Sequence, residues 1–390
     1  MELEATIGRQ ITRILNFKHR VIMNAEKLFS ILRDIDLEFR DTGVSERLSQ
    51  MIQSLENIVS SPQTADYQNS FIKSKAILFE ELYKAQSNNE TPQWRHHVKE
   101  LGMLKFLGQD LSKVIEPIIS ENQLTPSNAL VELKEIEKQL KEYILTVNLA
   151  LTAFNKFNID YDELAEGDCE ICYSIPRDYT ESELGSLDKE IHQLKFILDR
   201  FSEAVTGDIE KFEVRAISTS DYTFYIKVGV TMAFSLGTAI SWILNEYKKI
   251  LEIKKLHLEL KKLEIPDPIT LPIENHSNEV MGKSIKLLVK SIMEEAKVTY
   301  NHGKTKPEVK SGLENAINKL ANRLDKGFQL TLRIESPKAN KINSDGEEEK
   351  IKINPQYLSA QELSTKISYP TIIGKPILSL PETNENETDK

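Results

Sequence analysis

Between Leu3 and Phe39 the chain repeats apolar residues every seven positions on two tracks, and no proline interrupts them. One track is Ile7, Ile14, Val21, Leu28 and Ile35; the other is Ile11, Ala25, Leu32 and Phe39, with Lys18 interrupting. Spacings of three and four between the tracks place both on one face of a helix, the seam of a coiled coil or of a long bundle helix. At a rise of ~1.5 Å per residue such a helix is about 55 Å long. Asp41-Thr42-Gly43 ends it, since glycine takes the left-handed conformation beyond a helix at little cost. A seam of this length exceeds what a short bundle needs to cover. Ile7, Ile11, Ile14, Val21, Leu28, Leu32 and Ile35 are therefore the candidate interaction residues, facing a protein partner or a second copy of the chain.

Further helical segments follow, each bounded by breakers. Residues 45–59 stop at Ser60-Ser61-Pro62, and residues 66–86 stop at the polar run from Asn88 to Pro92. Residues 94–119 carry Val98, Leu101, Leu104, Leu107, Leu111, Val114 and Ile118, which reads as one helix. Thr125-Pro126 is an N-cap followed by proline at the first helical position. It opens a helix with tracks Leu133, Leu140, Val147, Phe154 and Leu130, Ile144, Leu151, with Glu137 on the seam. Helices joined by short polar connections make residues 1–157 an all-α, elongated bundle.

Beyond residue 157 the pattern changes. Cys169 to Ile175 alternates and reads as a strand ended by Pro176, and Thr180-Glu181-Ser182-Glu183 has capping-box spacing ahead of a helix that closes at Gly207. Phe212 to Ile217 alternates again. Residues 222–263 read as one long helix, uncharged from Val228 to Leu244 and lysine-rich beyond. Helices are expected near 277–300 and 307–326, then a strand from Phe328 to Ile334 whose candidate hairpin partner is Lys350 to Ile353. The fold class is thus predominantly α: the bundle of 1–157, an α+β module with a small sheet over 158–336, and a polar loop, short strand and disordered tail over 337–390.

Charge and cysteine usage narrow the function. A formal net charge of -10, from 50 Lys+Arg against 60 Asp+Glu, disfavours general nucleic-acid binding, which needs surplus cations. Two cysteines in 390 residues make no disulfide framework and suit a reducing, cytoplasmic setting. Met1-Glu2-Leu3-Glu4 lacks the apolar core of a signal peptide.

Motifs that would carry chemistry fall short of their requirements. Cys169-x-x-Cys172 lacks a second ligand pair, and on a strand residues three apart point to opposite faces. The carboxylates Asp160, Asp162, Glu163, Glu166, Asp168 and Glu170 belong to residues 158–190, which hold eleven Asp/Glu against two Lys/Arg. They are the candidate metal ligands of a hydrolase or nuclease, although Leu164 and Ala165 stand where an EF-hand needs an oxygen donor and glycine. His96, His97 and Glu100 could bring two ligands together on one helix turn. Arg13 and His19 have the spacing of the Arg-x4–6-His element of HEPN-type ribonucleases, but on one continuous helix they stand about 240° apart. Gly303-Lys304-Thr305 ends like a P-loop without the required earlier glycine.

Val228 to Leu244 runs seventeen residues without a charge, and Gly229, Ala233, Gly237 and Ser241 make a small-residue ridge along it. Such a ridge admits another backbone closely, in a soluble core or in a membrane. Seventeen residues span about 26 Å of a ~30 Å hydrocarbon core, so a buried helix is the favoured reading and membrane insertion the rival. Lys-rich residues 248–262 continue as an amphipathic face. The function expected is that of a non-enzymatic interaction or assembly protein. Its alternatives are a membrane effector acting through 228–244 and a metal-dependent enzyme acting through 160–170. No cofactor is implied, and no catalytic or metal set emerges.

Overall fold

In the computed structural model of the protein, the described residues are 25–180, 183–218, 222–262, 270–296, 298–300, 305–338, 340–342, 348–350, 353–370 and 376–383. They form two compact units, one ending at Glu163 and the other beginning at Leu164. The described chain is predominantly helical, with a small antiparallel sheet in the second unit.

The first unit is built from α1 (Ala25–Thr42), α2 (Val44–Ser60), α3 (Ala65–Lys84), α4 (Pro92–Glu100), α5 (Gly108–Glu121) and α6 (Pro126–Lys156). Its core follows helical periodicity: Ile31, Leu32, Ile35 and Phe39 of α1 and Leu48, Met51 and Ile52 of α2 cluster with Leu133, Leu140 and Val147 of α6. Each fully buried Leu or Ile contributes ~1.5–3 kcal/mol relative to exposure. The single helix expected over 94–119 is broken. Gly102 takes φ 74°, a 3-10 turn spans Leu104–Phe106, and Gly108 takes φ 41° before α5 begins. A Cβ at Gly108 would stand 2.4 Å from Asn88 Oδ1 and 2.7 Å from Ser87 Oγ, so the turn needs glycine for both space and backbone.

A buried carboxylate closes that turn. Glu38 of α1 accepts from the Ser87 backbone N–H at 2.7 Å, the Ser87 hydroxyl at 2.9 Å and the Gly108 N–H at 3.0 Å. Burial pushes the Glu38 carboxyl above its usual value, although these donors and the Arg95 charge oppose it.

The second unit centres on a sheet of order β2-β3-β1-β4, from β1 (Cys169–Ser174), β2 (Glu213–Ser218), β3 (Thr223–Val228) and β4 (Gln329–Ile334). Every neighbouring pair is antiparallel, with Ile171 opposite both Ile226 and Leu332. The face carrying Cys169, Ile171 and Tyr173 with Phe224, Ile226, Leu330 and Leu332 joins one core with α7 (Leu184–Thr206), α8 (Val230–Lys262), α9 (Thr270–Ala296) and α10 (Lys306–Asp325). The helix α11 (Pro355–Lys366) adds Ala360 to this core.

Several expectations are corrected here. Residues 222–263 are not one helix: Thr223–Val228 is a strand, and α8 starts at Val230. The uncharged run hid the change, because Phe224, Ile226 and Val228 alternate at strand period while the small residues beyond keep helical period. The neighbour of β4 is β1; Glu348–Lys350 instead pairs with Asn340–Ile342 as a separate two-stranded sheet, and residues 351 and 352 lie outside the described residues. Glu183, not Thr180, occupies the N-cap of α7, and Glu181 and Ser182 lie outside the described residues. Residues 337–390, read as a polar loop, short strand and disordered tail, also contain α11, capped by Asn354, whose side chain accepts from the Gln356 N–H at 3.0 Å. The tail expected to be disordered from Pro381 is hydrogen-bonded to α10 as far as Thr383.

Candidate functional site

The outward face of α6 is the most exposed apolar feature at regular spacing in the first unit. One side of this helix is taken up by the core track Leu133, Leu140 and Val147. On the other side Val131, Leu145 and Leu149 are 69%, 59% and 62% exposed. At 100° per residue these three lie within about 40° of one another on one line of the helix, Leu145 and Leu149 adjacent and Val131 about 21 Å away across charged residues. Lys134, Glu135, Lys138, Lys141 and Glu142 share that exposed side. Lys134 pairs with Glu56 of α2, and Lys141 with Glu137 at 2.6 Å. Glu137, which sits on the seam, also accepts from Ser49 and is held below its usual carboxylate value: partial burial raises it, but the Lys141 and Ser49 donors and the nearby lysine charges outweigh that.

The face is partly self-complementary. Turned end for end about Lys138, α6 places Val131 opposite Leu145, Lys134 opposite Glu142 and Glu135 opposite Lys141, because each pair of numbers is symmetric about 138. An antiparallel helix pair with that register would face Val131 with Leu145 and set two pairs of opposite charges between them, while Lys138 would meet Lys138 of the other copy and Leu149 would meet Ser127.

The seam residues expected to meet a partner are placed differently. Ile35 is fully buried, Leu32 is buried and Leu28 is packed against the same core, so the described end of this seam is spent inside its own unit. Ile7, Ile11, Ile14 and Val21 lie outside the described residues, as do Arg13, His19, Gly303 and Lys304. The ridge divides as well. Ala233 and Gly237 are buried, Ser241 is half-buried, and Gly229 is exposed ahead of α8 with nothing within 4 Å of where its Cβ would stand. A Cβ on Gly237 would lie 2.6 Å from Leu332 Cδ1 and 3.5 Å from Leu363 Cδ1, which identifies β4 and α11 as the elements packed against the ridge.

No protein family, curated protein or solved structure matches this chain.

The carboxylates of 160–170 do not converge. Asp162 pairs with Lys27 and Glu163 with Arg33 in the first unit, and Asp160 is exposed. In the second unit Glu166 accepts from the Lys338 backbone N–H, Asp168 pairs with Lys227 at 2.7 Å, and Glu170 is buried between arginines. Among the described residues no group of three His, Cys, Asp or Glu side chains is placed to hold a metal ion. Glu170 is fully buried and accepts from Arg215 of β2 at 2.7 Å, with Arg333 of β4 at 4.0 Å and the Cys172 thiol donating at 3.7 Å. That cluster ties three strands together on the sheet face opposite the helical core. Cys169 lies on the helical side, its thiol pushed up to about 12 by burial and by the Asp168 charge, so it carries no thiolate near neutrality.

His96 and His97 also part. His96 is exposed with Nε2 3.4 Å from Glu100, whereas His97 is turned inward and neither ring nitrogen has a hydrogen-bond partner among the described residues. Among the described residues no helix is long and apolar enough to cross a membrane. The charge-free half of α8 is occupied instead by the core, with Met232, Leu236, Ala239, Ile240 and Ile243 fully buried.

Proposed function

We propose that the protein is a non-enzymatic interaction or assembly protein whose helical unit associates with a second copy of itself through α6. The observation carrying this reading is the exposed stripe Val131, Leu145 and Leu149 on a helix whose intervening charges are symmetric about Lys138. Isolated exposed apolar residues need no explanation, but the adjacent Leu145 and Leu149, in line with Val131 and flanked by charges that pair end for end, support a contact surface. Pairing two such helices covers the stripe and brings Lys134 and Lys141 near Glu142 and Glu135 of the other copy. Exposed ion pairs of this kind contribute ~0.2–1 kcal/mol each, so the apolar contact carries affinity and the charges fix direction. The test is the oligomeric state of the full chain beside a variant carrying Leu145→Glu and Leu149→Glu. Concentration-dependent dimerisation in the parent and its loss in a folded variant supports the reading; identical behaviour of the two refutes it.

A further inference from the structure

Residues 376–383 lie along α10 and α9 outside any helix or strand, and side chains rather than a neighbouring strand bind their backbone. Asp325 accepts from the N–H groups of Ile377 at 2.5 Å and Leu378 at 2.6 Å. Asn278 of α9 donates to the Ile377 carbonyl at 3.3 Å and accepts from the Ser379 N–H at 2.7 Å. Asn322 accepts from the Leu380 N–H at 2.9 Å and donates to the Leu380 carbonyl at 3.0 Å; Asn318 donates to the Pro381 carbonyl at 3.0 Å. Asn315 repeats the two-way grip on Thr383, accepting from its N–H and donating to its carbonyl, both at 3.1 Å.

An asparagine amide offers a donor and an acceptor side by side, so it can pair both backbone groups of one residue as a neighbouring strand would. Asn315, Asn318, Asn322 and Asp325 recur at steps of three and four, which aligns them on one face of α10. This ladder reads mainly backbone, although Asn315 also donates to the Thr383 hydroxyl at 2.7 Å. Selectivity comes from alternate side chains. Leu378 and Leu380 are buried at 6% and 5% exposure in the core while Ser379 and Pro381 face outward. Two residues on, Glu382 lies 3.5 Å from Lys319 and 3.7 Å from Arg323 and accepts from Asn322 at 2.7 Å. Partial burial alone would raise its carboxyl, but the Asn322 donor and the two cations outweigh that and hold it below the usual carboxylate value. The cations are built in: Lys319 is 2% and Arg323 5% exposed, and Glu190 of α7 fixes Arg323 through a 2.8 Å bond.

We propose that this groove is a peptide-binding site, with residues 376–383 as its resident occupant, and that it accepts in trans an extended peptide of a protein partner with the same pattern. The pattern is an apolar residue, any residue, a second apolar residue, and an acidic side chain two positions further on. None of the contacts depends on the peptide being joined to the chain, which is what recognition by alternate side-chain pockets and a backbone ladder requires. The tethered segment then acts as a competitor that a partner's peptide must displace. This proposal rests on the second unit alone and is independent of association through α6.

The test uses the full-length chain carrying Leu378→Asp and Leu380→Asp, which empties the groove, and a fluorescent synthetic peptide of residues 376–383. By anisotropy the variant is expected to bind the peptide at least tenfold more tightly than the parent, whose groove is filled. A peptide with E382K is expected to bind at least tenfold more weakly than the unsubstituted one. A variant that keeps its helical circular-dichroism spectrum but binds the peptide no better than the parent would overturn the proposal, as would equal binding of the two peptides. Should the variant fail to fold alone, refolding with excess peptide decides the matter: recovery of the native spectrum supports a separable ligand, and no recovery shows the segment to be an ordinary part of the fold.

Discussion

The two units spend their polar side chains in opposite ways. In the first unit the interior is apolar apart from a few groups such as Glu38, and apolar residues are left over on the outside of α6. In the second, Glu170, Glu190, Lys319, Asn322, Arg323 and Asp325 are all buried, each engaged with a partner from a distant part of the sequence. The difference separates two means of specifying a structure. Helix periodicity gathers most of the first unit, because its contacts fall on neighbouring helices at regular spacing, with the Glu38 cluster as its main polar tie. The second unit must hold a sheet, crossing helices and a C-terminal segment in one arrangement, and buried polar groups penalise every alternative that leaves them unpaired.

The largest expected effect tests the polar interior directly. Asp325 is fully buried and accepts from the Tyr247 hydroxyl and from the N–H groups of Ile377 and Leu378. At ~1–3 kcal/mol for each donor left unpaired, Asp325→Ala is expected to cost on the order of 4 kcal/mol in urea unfolding. The second unit already leaves one buried hydroxyl, that of Tyr173, without a hydrogen-bond partner among the described residues, so a loss below 1 kcal/mol would break the contrast by showing that Asp325 too can be spared.

His97 sharpens the comparison from the other side, as a buried polar group without hydrogen-bond partners. Burial lowers its pKa to about 4 from 6.5, with smaller contributions from the Lys27 and His96 charges, while Glu100 stands 3.9 Å away. Between those values the unfolded chain holds a proton that the folded chain does not, so stability falls as pH drops from about 6.5 towards 4. The full difference amounts to about 3 kcal/mol. Glu38, with its raised carboxyl, works in the opposite direction, so the comparison must be with a variant. His97→Leu is expected to flatten the loss between pH 6.5 and 5 in denaturant titrations; an unchanged pH profile would show that His97 is not the acid-labile group.

The small-residue ridge gives an intermediate effect and an internal control. Gly237→Leu must displace Leu332, itself buried, and overpacking of this kind costs ~1–3 kcal/mol. Gly229→Ala meets open space and is expected to change stability by no more than about 0.5 kcal/mol. Equal melting temperatures for the two variants would mean that Gly237 does not form a close contact with β4.

Much of the first unit is legible in the sequence because its core uses one period throughout: Leu133, Leu140 and Val147 are buried as their spacing requires. The break at Gly102 and Gly108 is less so, since Leu101, Leu104 and Leu107 keep helical spacing across it. In the second unit, the alternation of Phe224, Ile226 and Val228 is visible once strand period is sought, but the adjoining charge-free stretch masks it. The sites are harder to read. The outward stripe of α6 has a seven-residue signal in Val131, Lys138 and Leu145, overlooked because lysine holds its middle position. Asn315, Asn318 and Asn322 show helical spacing, but their meaning depends on a segment some sixty residues further along, which no local pattern announces.

Self-association is the smallest effect in stability and the most decisive for function. Leu145 and Leu149 are exposed, so replacing both with glutamate is expected to shift unfolding of the first unit by no more than about 0.5 kcal/mol per site. Sedimentation velocity of the full-length chain across a micromolar concentration series, beside this double variant, is the most direct measurement. The account predicts a monomer–dimer equilibrium in the parent and a monomer at every concentration in the folded variant. A parent that stays monomeric at high micromolar concentration, or a variant that dimerises equally well, would contradict it.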